Sequence, residues 1–394
     1  NTAKALTDSS ISIGQNAESG KVDKFDGKKS IAIGYEAKSM GTSTIAMGYN
    51  AKSENGHDGV SIGTYAKSDN EKTITIGSYS SASGAQSIVI ANNYNSDNSF
   101  NSDKSTATGR RAIVMGAESH ATAEQALAIG DKNTVAAART YVMGNNINVD
   151  SDKAVDSLAF GTSANVKGQD QISIGHNAGA DAVATAKNAY GIALGLNAGR
   201  YQQGGEDNYA IGQNAGQYVN GTHSVALGLN AGSHIEGDGN FAAADGAGNY
   251  IKGRNNIAIG NNAGSGAAGA IVEADRTISV GTRTQARGDN AVAIGTDSKA
   301  LAVDATAVGQ AAQASAEKTV AVGQGAKATE RFTVAMGHNA TASHANSVAL
   351  GTNSATSDVH TGAYTLNGSY NAAGVPNAAN GTVSVGSAGK ERQI

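Results

Sequence analysis

The stretch that decides the fold runs from Ile278 to Gly351: ISVGTRTQARGDNAVAIGTDSKALAVDATAVGQAAQASAEKTVAVGQGAKATERFTVAMGHNATASHANSVALG. Gly281, Gly295, Gly309, Gly323, Gly337 and Gly351 fall in it 14 residues apart. Each glycine follows an apolar–small–apolar triplet, such as Val292-Ala-Ile294 or Val348-Ala-Leu350, with Thr306 the one departure in the first apolar place. An apolar–small–apolar alternation has the period of a β-strand, so each triplet reads as a very short strand. The glycine that ends it marks a backbone conformation closed to residues with a Cβ.

Outward from this run the same tetrad recurs along the whole chain, for instance ISIG at Ile11–Gly14, IAIG at Ile31–Gly34 and IAMG at Ile45–Gly48. There are 23 copies, and 11 of the 22 intervals between anchors are 14 residues. Only Ala91 and Ala244 replace the anchor glycine. Between anchors lies a weaker Ala-x-Ala or Ala-x-Ser segment, as at Ala37–Ser39, Ala51–Ser53 and Ala340–Ala342. Fourteen residues therefore make two short strands and two tight turns, one flattened coil of a parallel β-solenoid. Stacked at about 4.8 Å per layer, 23 coils would form a rod of roughly 100–110 Å. The flanking aliphatics point to one side of the strand and the small residue to the other. The coil is expected to enclose the aliphatic pair with small alanines. The Ala and Ser side is then the close-packed face that a second rod would cover. A few buried aliphatics, at about 1.5–3 kcal/mol each, barely offset the ordering of 14 residues at about 1–2 kcal/mol each, so a homo-oligomer is expected.

Composition agrees. Of 394 residues 52 are glycine, one is proline, none is cysteine or tryptophan, and aromatics are 5 %. That is too few large side chains for several bulky cores. Lys and Arg number 29 against 33 Asp and Glu, a net charge of −4, with no long basic run to suggest nucleic acid. No apolar stretch reaches the roughly 18 residues of a membrane-spanning helix, and zero cysteine excludes disulfides, thiol catalysis and Cys-based zinc sites.

From Gly175 to Gly264 the accent changes. Anchors are followed by x-Asn-Ala-Gly, as at His176–Gly179, Leu196–Gly199, Gln213–Gly216, Leu229–Gly232 and Asn261–Gly264, and the intervals are mostly 16 to 20. Asn and Gly tolerate left-handed backbone angles, so these are turns. Insertions break the stack near Gly20–Lys29, at Asn92–Arg110 with Phe100 inside, and at Ser357–Asn380. Polar insertions in a solenoid project as surface loops. The chain is accordingly read as 1–165 (head repeats with inserted loops), 166–270 (the longer Asn-Ala-Gly subtype), 271–356 (regular 14-residue repeats) and 357–394 (insertion and the start of a neck).

The tandem Ser-Val/Ile-Ala-Ile/Leu-Gly copies on a 14-residue beat resemble the head repeats of trimeric autotransporter adhesins, the YadA-like proteins of Gram-negative bacteria. The ending, Val383-Ser-Val-Gly-Ser-Ala-Gly-Lys-Glu-Arg-Gln-Ile394, is similar to the start of the family's neck. The resemblance implies an all-β, left-handed parallel β-roll, homotrimeric, on the bacterial surface and anchored in the outer membrane through a C-terminal part outside this sequence. It implies an adhesin without enzymatic activity or cofactor. Its partners would be extracellular matrix proteins (collagen-like, fibronectin or laminin), a host-cell receptor or other bacteria, with no membrane insertion by these residues themselves.

Asn346-Ser-Val-Ala-Leu-Gly351 with Ser354 matches the family's collagen-associated pattern, with Leu350 in place of Ile; the competing reading is a well-formed coil and nothing more. Arg287-Gly288-Asp289 is the integrin-read tripeptide and also ordinary turn chemistry. Phe100, inside the second insertion, is the remaining candidate contact. Gly264–Gly269 spells G-x-G-x-x-G but lacks the following helix that a dinucleotide site needs. The eight histidines are scattered, and Glu236-Gly-Asp-Gly-Asn240 lacks the surrounding array of a calcium loop. Two rivals stand beside the adhesin: a left-handed β-helix acyltransferase, whose coils have three faces and about 18 residues, and a purely structural or ice-binding spacer, for which no threonine ladder is present.

Overall fold

The computed structural model describes residues 2–20, 28–93, 104–149, 152–182, 191–203, 205–266, 271–359, 365–366, 370–371, 380–390 and 392. The chain divides into two compact units, Asn1–Tyr201 and Gln202–Ile394. Each is a parallel β-solenoid, and no α-helix occurs among the described residues.

Of the 23 apolar–small–apolar triplets, 22 form three-residue strands and the last forms the two-residue strand Val383–Ser384, and within each unit successive triplets pair in parallel and in register. In the N-terminal unit Ile74, Thr75 and Ile76 lie beside Ile88, Val89 and Ile90. In the C-terminal unit Val320, Ala321 and Val322 lie beside Val334, Ala335 and Met336. The weaker Ala-x-Ala/Ser segments form two-residue strands that stack as a second parallel sheet, for example Lys38–Ser39 on Lys52–Ser53 and Gln313–Ala314 on Lys327–Ala328. The regular coil is thus two-sided, not three-sided. Turns follow a strict beat: Asn290, Asp297, Asp304, Ala311, Lys318, Gly325, Phe332, Asn339, Asn346 and Asn353, every seventh residue, all have φ near +60°. In the Asn-Ala-Gly coils the turn expectation holds. Asn177, Asn197, Asn214, Asn230 and Asn262 have φ between 54° and 58°, and the glycines two residues later have φ of 60–62°.

One expectation is inverted. The small middle residue, not the aliphatic pair, fills the coil. Ala293, Ala307, Ala321, Ala335 and Ala349 are fully buried, and so are Ala300, Ala314, Ala328 and Ala342 from the opposite strands. The flanking aliphatics point outward and stay half-exposed. The cause is thickness. Strands joined by turns only seven residues apart leave a narrow gap that Ala, Ser, Thr and at most Val side chains fill, as at Thr75, Val89, Val114 and Val142, and two facing rows of Ile or Leu exceed it. The two small-residue rows therefore face each other inside, and period-two alternation sends the large residues out.

Larger residues also enter the interior at some rungs. Val135, Ile147 and Val149 are buried in the N-terminal unit. In the Asn-Ala-Gly coils the second strand shifts phase: Ile235, Ile251 and Val272 turn inward, and Glu236, Lys252 and Glu273 turn outward. Buried asparagines link these rungs. Asn256 Nδ2 donates to the Ala274 carbonyl at 2.9 Å, and Asn256 Oδ1 accepts the Thr277 amide at 2.9 Å. A buried amide satisfied on both sides avoids the penalty of an unpaired one.

Within the third insertion Thr365–Leu366 and Tyr370–Asn371 pair as an antiparallel hairpin. Strand Val383–Ser384 then rejoins the ladder beside Val348 and Ala349. Arg392 closes that end, donating from Nη1 to the Val385 carbonyl at 2.9 Å and to Ser354 Oγ at 3.1 Å.

Candidate functional site

Three surfaces follow from this arrangement. The first is the outer face of the triplet strands. Register places each aliphatic on its equivalent in the next rung, so Ile62, Ile76, Ile90 and Met115 form one exposed row in the N-terminal unit, and Ile294, Met336 and Leu350 lie on the same face in the C-terminal unit. Parallel sheets are ordinarily covered on both faces, and contiguous exposed apolar rows mark interaction surfaces. A single chain leaves this stripe open.

The second surface lies in the N-terminal unit. Tyr35, Tyr49, Tyr65 and Tyr79 follow one another rung by rung with ring centroids 5.2, 5.3 and 4.9 Å apart, the first pair stacked, the second edge to face and the third tilted. Glu36 beside Tyr35 raises that phenol's pKa by its charge. In the same unit a charged groove of about 360 Å³ is lined by Thr2, Lys4, Asn16, Glu18, Glu36, Lys38, Asn50 and Lys52. Glu18 ties its neighbours together, 3.7 Å from Lys4 and 4.0 Å from Lys38.

The third is a groove of about 330 Å³ in the C-terminal unit, lined by Gln203, Tyr218, Asn220, His234, Glu236, Tyr250, Ile251, Lys252 and Ile271. The His234 ring is sandwiched between Tyr218 and Tyr250 at 4.6 Å on each side, with planes 20° and 12° apart. Burial in this stack lowers the His234 pKa. Sequence reasoning passed over this groove, although a signal was present: Tyr218, His234 and Tyr250 are 16 residues apart, the length of the coils that carry them.

The sequence candidates divide by the direction each side chain takes. Asn346 is a turn residue at φ 61°. Ser347, Ala349 and Ser354 are fully buried, and Ser354 Oγ donates to the Leu350 carbonyl at 2.7 Å. Val348 and Leu350 sit on the outer aliphatic stripe, and Gly351 is an anchor at φ 106°. Arg287 and Asp289 are exposed, while Gly288 between them is buried. A Cβ on Gly288 would come 2.0 Å from the Ala302 carbonyl carbon, so this glycine lets adjacent rungs approach. Asp289 Oδ1 accepts the Asp275 amide at 2.9 Å, bracing the turn. Phe100 lies outside the described residues. In the acidic turn, Glu236 faces the groove, Asp238 accepts the Thr222 amide at 2.8 Å, and Asn240 is buried. Among the described residues no group of three His, Asp or Glu side chains is placed to hold a metal ion, and no helix is long and apolar enough to cross a membrane.

The fold and the open stripe define a class: an in-register parallel β-solenoid with a small-residue interior and an aliphatic exterior. Within that class, residues 26–51, 41–66, 107–133, 273–298, 300–326 and 328–354 match the YadA head domain repeat. Over these segments the chain is a YadA-like head. The matches leave 134–272 outside, the stretch that includes the Asn-Ala-Gly coils and the third groove. No curated protein matches the chain significantly.

Proposed function

We propose that this chain is the head of a Gram-negative surface adhesin. It is a left-handed β-roll in which three identical chains pack side by side, and it is held in the outer membrane through a C-terminal part beyond this sequence. The observation that carries this is the open aliphatic stripe on a chain of YadA head repeats. Three copies packed stripe to stripe would bury it, at about 25 cal/mol per Å² of apolar surface removed from water. The assembly then presents each outward turn three times. Contacts to matrix proteins of the collagen, fibronectin or laminin type, to host-cell receptors or to other bacteria gain strength by multivalency without a deep pocket. Of the sequence candidates, Arg287 and Asp289 reach outward from a turn. Val348 and Leu350 belong to the stripe and would be covered in the trimer, so they serve assembly. No catalytic step is assigned.

The test is the mass of the purified head by light scattering, together with adhesion of head-coated beads to epithelial cells and to matrix-coated wells. A mass near three times 39.3 kDa with specific adhesion is expected. A stable monomer would refute the trimer, and a trimer whose beads adhere to no surface would make the head a spacer.

A further inference from the structure

The C-terminal groove has a repeat of its own. Asn220 bridges in parallel to Glu236, and Glu236 pairs in register with Lys252. Two residues before each of them stand Tyr218, His234 and Tyr250, stacked ring on ring. Three successive rungs therefore each offer the edge of one aromatic ring and one hydrogen-bonding side chain to the same cavity, the faces of His234 being covered by the two tyrosines. The polar row holds an amide, a carboxylate and an ammonium, so it can donate and accept along its length. Gln203 adds another amide, and Ile251 and Ile271 extend the apolar wall. Lys252 is 3.4 Å from Glu273, which balances its charge.

The geometry points to a binding site for a neutral oligosaccharide lying along the rungs. A pyranose is a flat ring with apolar C–H faces and hydroxyls around its edge, and it needs an apolar wall beside paired donors and acceptors. The rungs repeat at about 4.8 Å, close to the length one pyranose occupies in an extended glycan, so successive sugars meet successive ring-and-polar pairs. The volume of about 330 Å³ is at the small end of ligand sites and suits one or two sugars. A peptide adding as a further β-strand would need unpaired backbone groups at a strand edge, and the strands that carry Glu236 and Lys252 are flanked on both sides. An anionic glycan would need excess positive charge, and Glu236 and Glu273 outnumber Lys252 here. The site names a partner class for the adhesin and so rests on that reading.

The experiment is a glycan array of neutral, sialylated and sulfated oligosaccharides probed with the whole head, followed by titration of the best neutral binder. Since the chain has no tryptophan, tyrosine fluorescence and saturation-transfer NMR report on the groove. Wild type should bind neutral glycans. Glu236→Gln should weaken binding about tenfold, in line with loss of a charged acceptor, and Tyr250→Ala should do so at least as strongly. Glu317→Gln, on a regular coil, should change nothing. Circular dichroism and light scattering verify the fold of each variant. Absence of neutral-glycan binding, binding confined to acidic glycans, or full affinity in both folded groove variants would overturn the site. Bead adhesion separates the two claims. Adhesion that survives enzymatic removal of cell-surface glycans, and is indifferent to Glu236→Gln, sinks the glycan site while leaving the adhesin intact. Array binding without any bead adhesion sinks the adhesin while leaving the site.

Discussion

Replacing the anchor Gly309 by alanine tests the ladder where the anchors of two rungs meet. Gly309 has φ +131°, and a Cβ there would lie 2.6 Å from the carbonyl carbon and oxygen of Gly323, the anchor of the next rung. Holding an L-residue in such a region costs about 1–3 kcal/mol. Gly323 cannot retreat freely, because its amide donates to the Val308 carbonyl at 2.8 Å; loosening that bond costs about 1 kcal/mol more. Alanine also stiffens the unfolded chain, which returns about 0.4–1 kcal/mol. Gly309→Ala should therefore lose about 1.5–3 kcal/mol. Ala244 supplies the reverse experiment, since it already sits at an anchor with φ +103°. Ala244→Gly should relieve strain and gain up to about 1 kcal/mol after the same entropy correction. Urea unfolding followed by far-UV circular dichroism measures both, and hydrogen exchange at Val320–Val322 localises the first. Equal or greater stability for Gly309→Ala, or a loss for Ala244→Gly, would refute the reasoning.

Other expectations follow from the same geometry. Ala321→Leu forces a larger side chain between the two sheets of the coil and should cost at least about 1–3 kcal/mol in thermal unfolding, whereas Val322→Leu beside it should cost less because Val322 faces outward. The pair Ile294→Lys and Met336→Lys should convert the proposed trimer to monomers by sedimentation while leaving the far-UV spectrum of β-structure. Asp238 has its pKa lowered chiefly by the Thr222 amide. Its stabilisation is complete above the unfolded carboxylate range near about 3.9 and is lost as pH falls through the lower folded value, so Asp238→Asn should flatten that acid limb. The His234 pKa is also lowered, here by burial. Protonation is therefore disfavoured in the fold, stability falls as pH drops below about 6.5, and His234→Phe should abolish that part of the pH dependence.

Strand positions, turn positions and the role of the anchor glycines were legible in the sequence because each repeats with a fixed spacing. Which side of the strand is inside was not. Alternation at Val292-Ala-Ile294 says only that large and small residues part company. The usual preference for burying aliphatics then points the wrong way. The deciding clue was a coincidence between two strands: Ala286, Ala300, Ala314, Ala328 and Ala342 put small residues on the second strand as well, and two small rows can only face each other across a narrow gap. For the candidate site, Ser347, Ala349 and Ser354 looked like contact residues because a family pattern passes through them, yet they fill the coil. The aromatic groove escaped notice because its rings are separated by whole coils, and a local motif search does not connect residues 16 apart.

The interchangeability of rungs from Gly281 to Gly351 has a genetic consequence. Any excision or duplication of 14 codons within that run rejoins a strand to an equivalent strand, with alanine again on alanine. The gene can thus lengthen or shorten its product in fixed quanta of 14 codons. Each step would move the distal surfaces by one layer without requiring a new core, so reach can evolve separately from recognition.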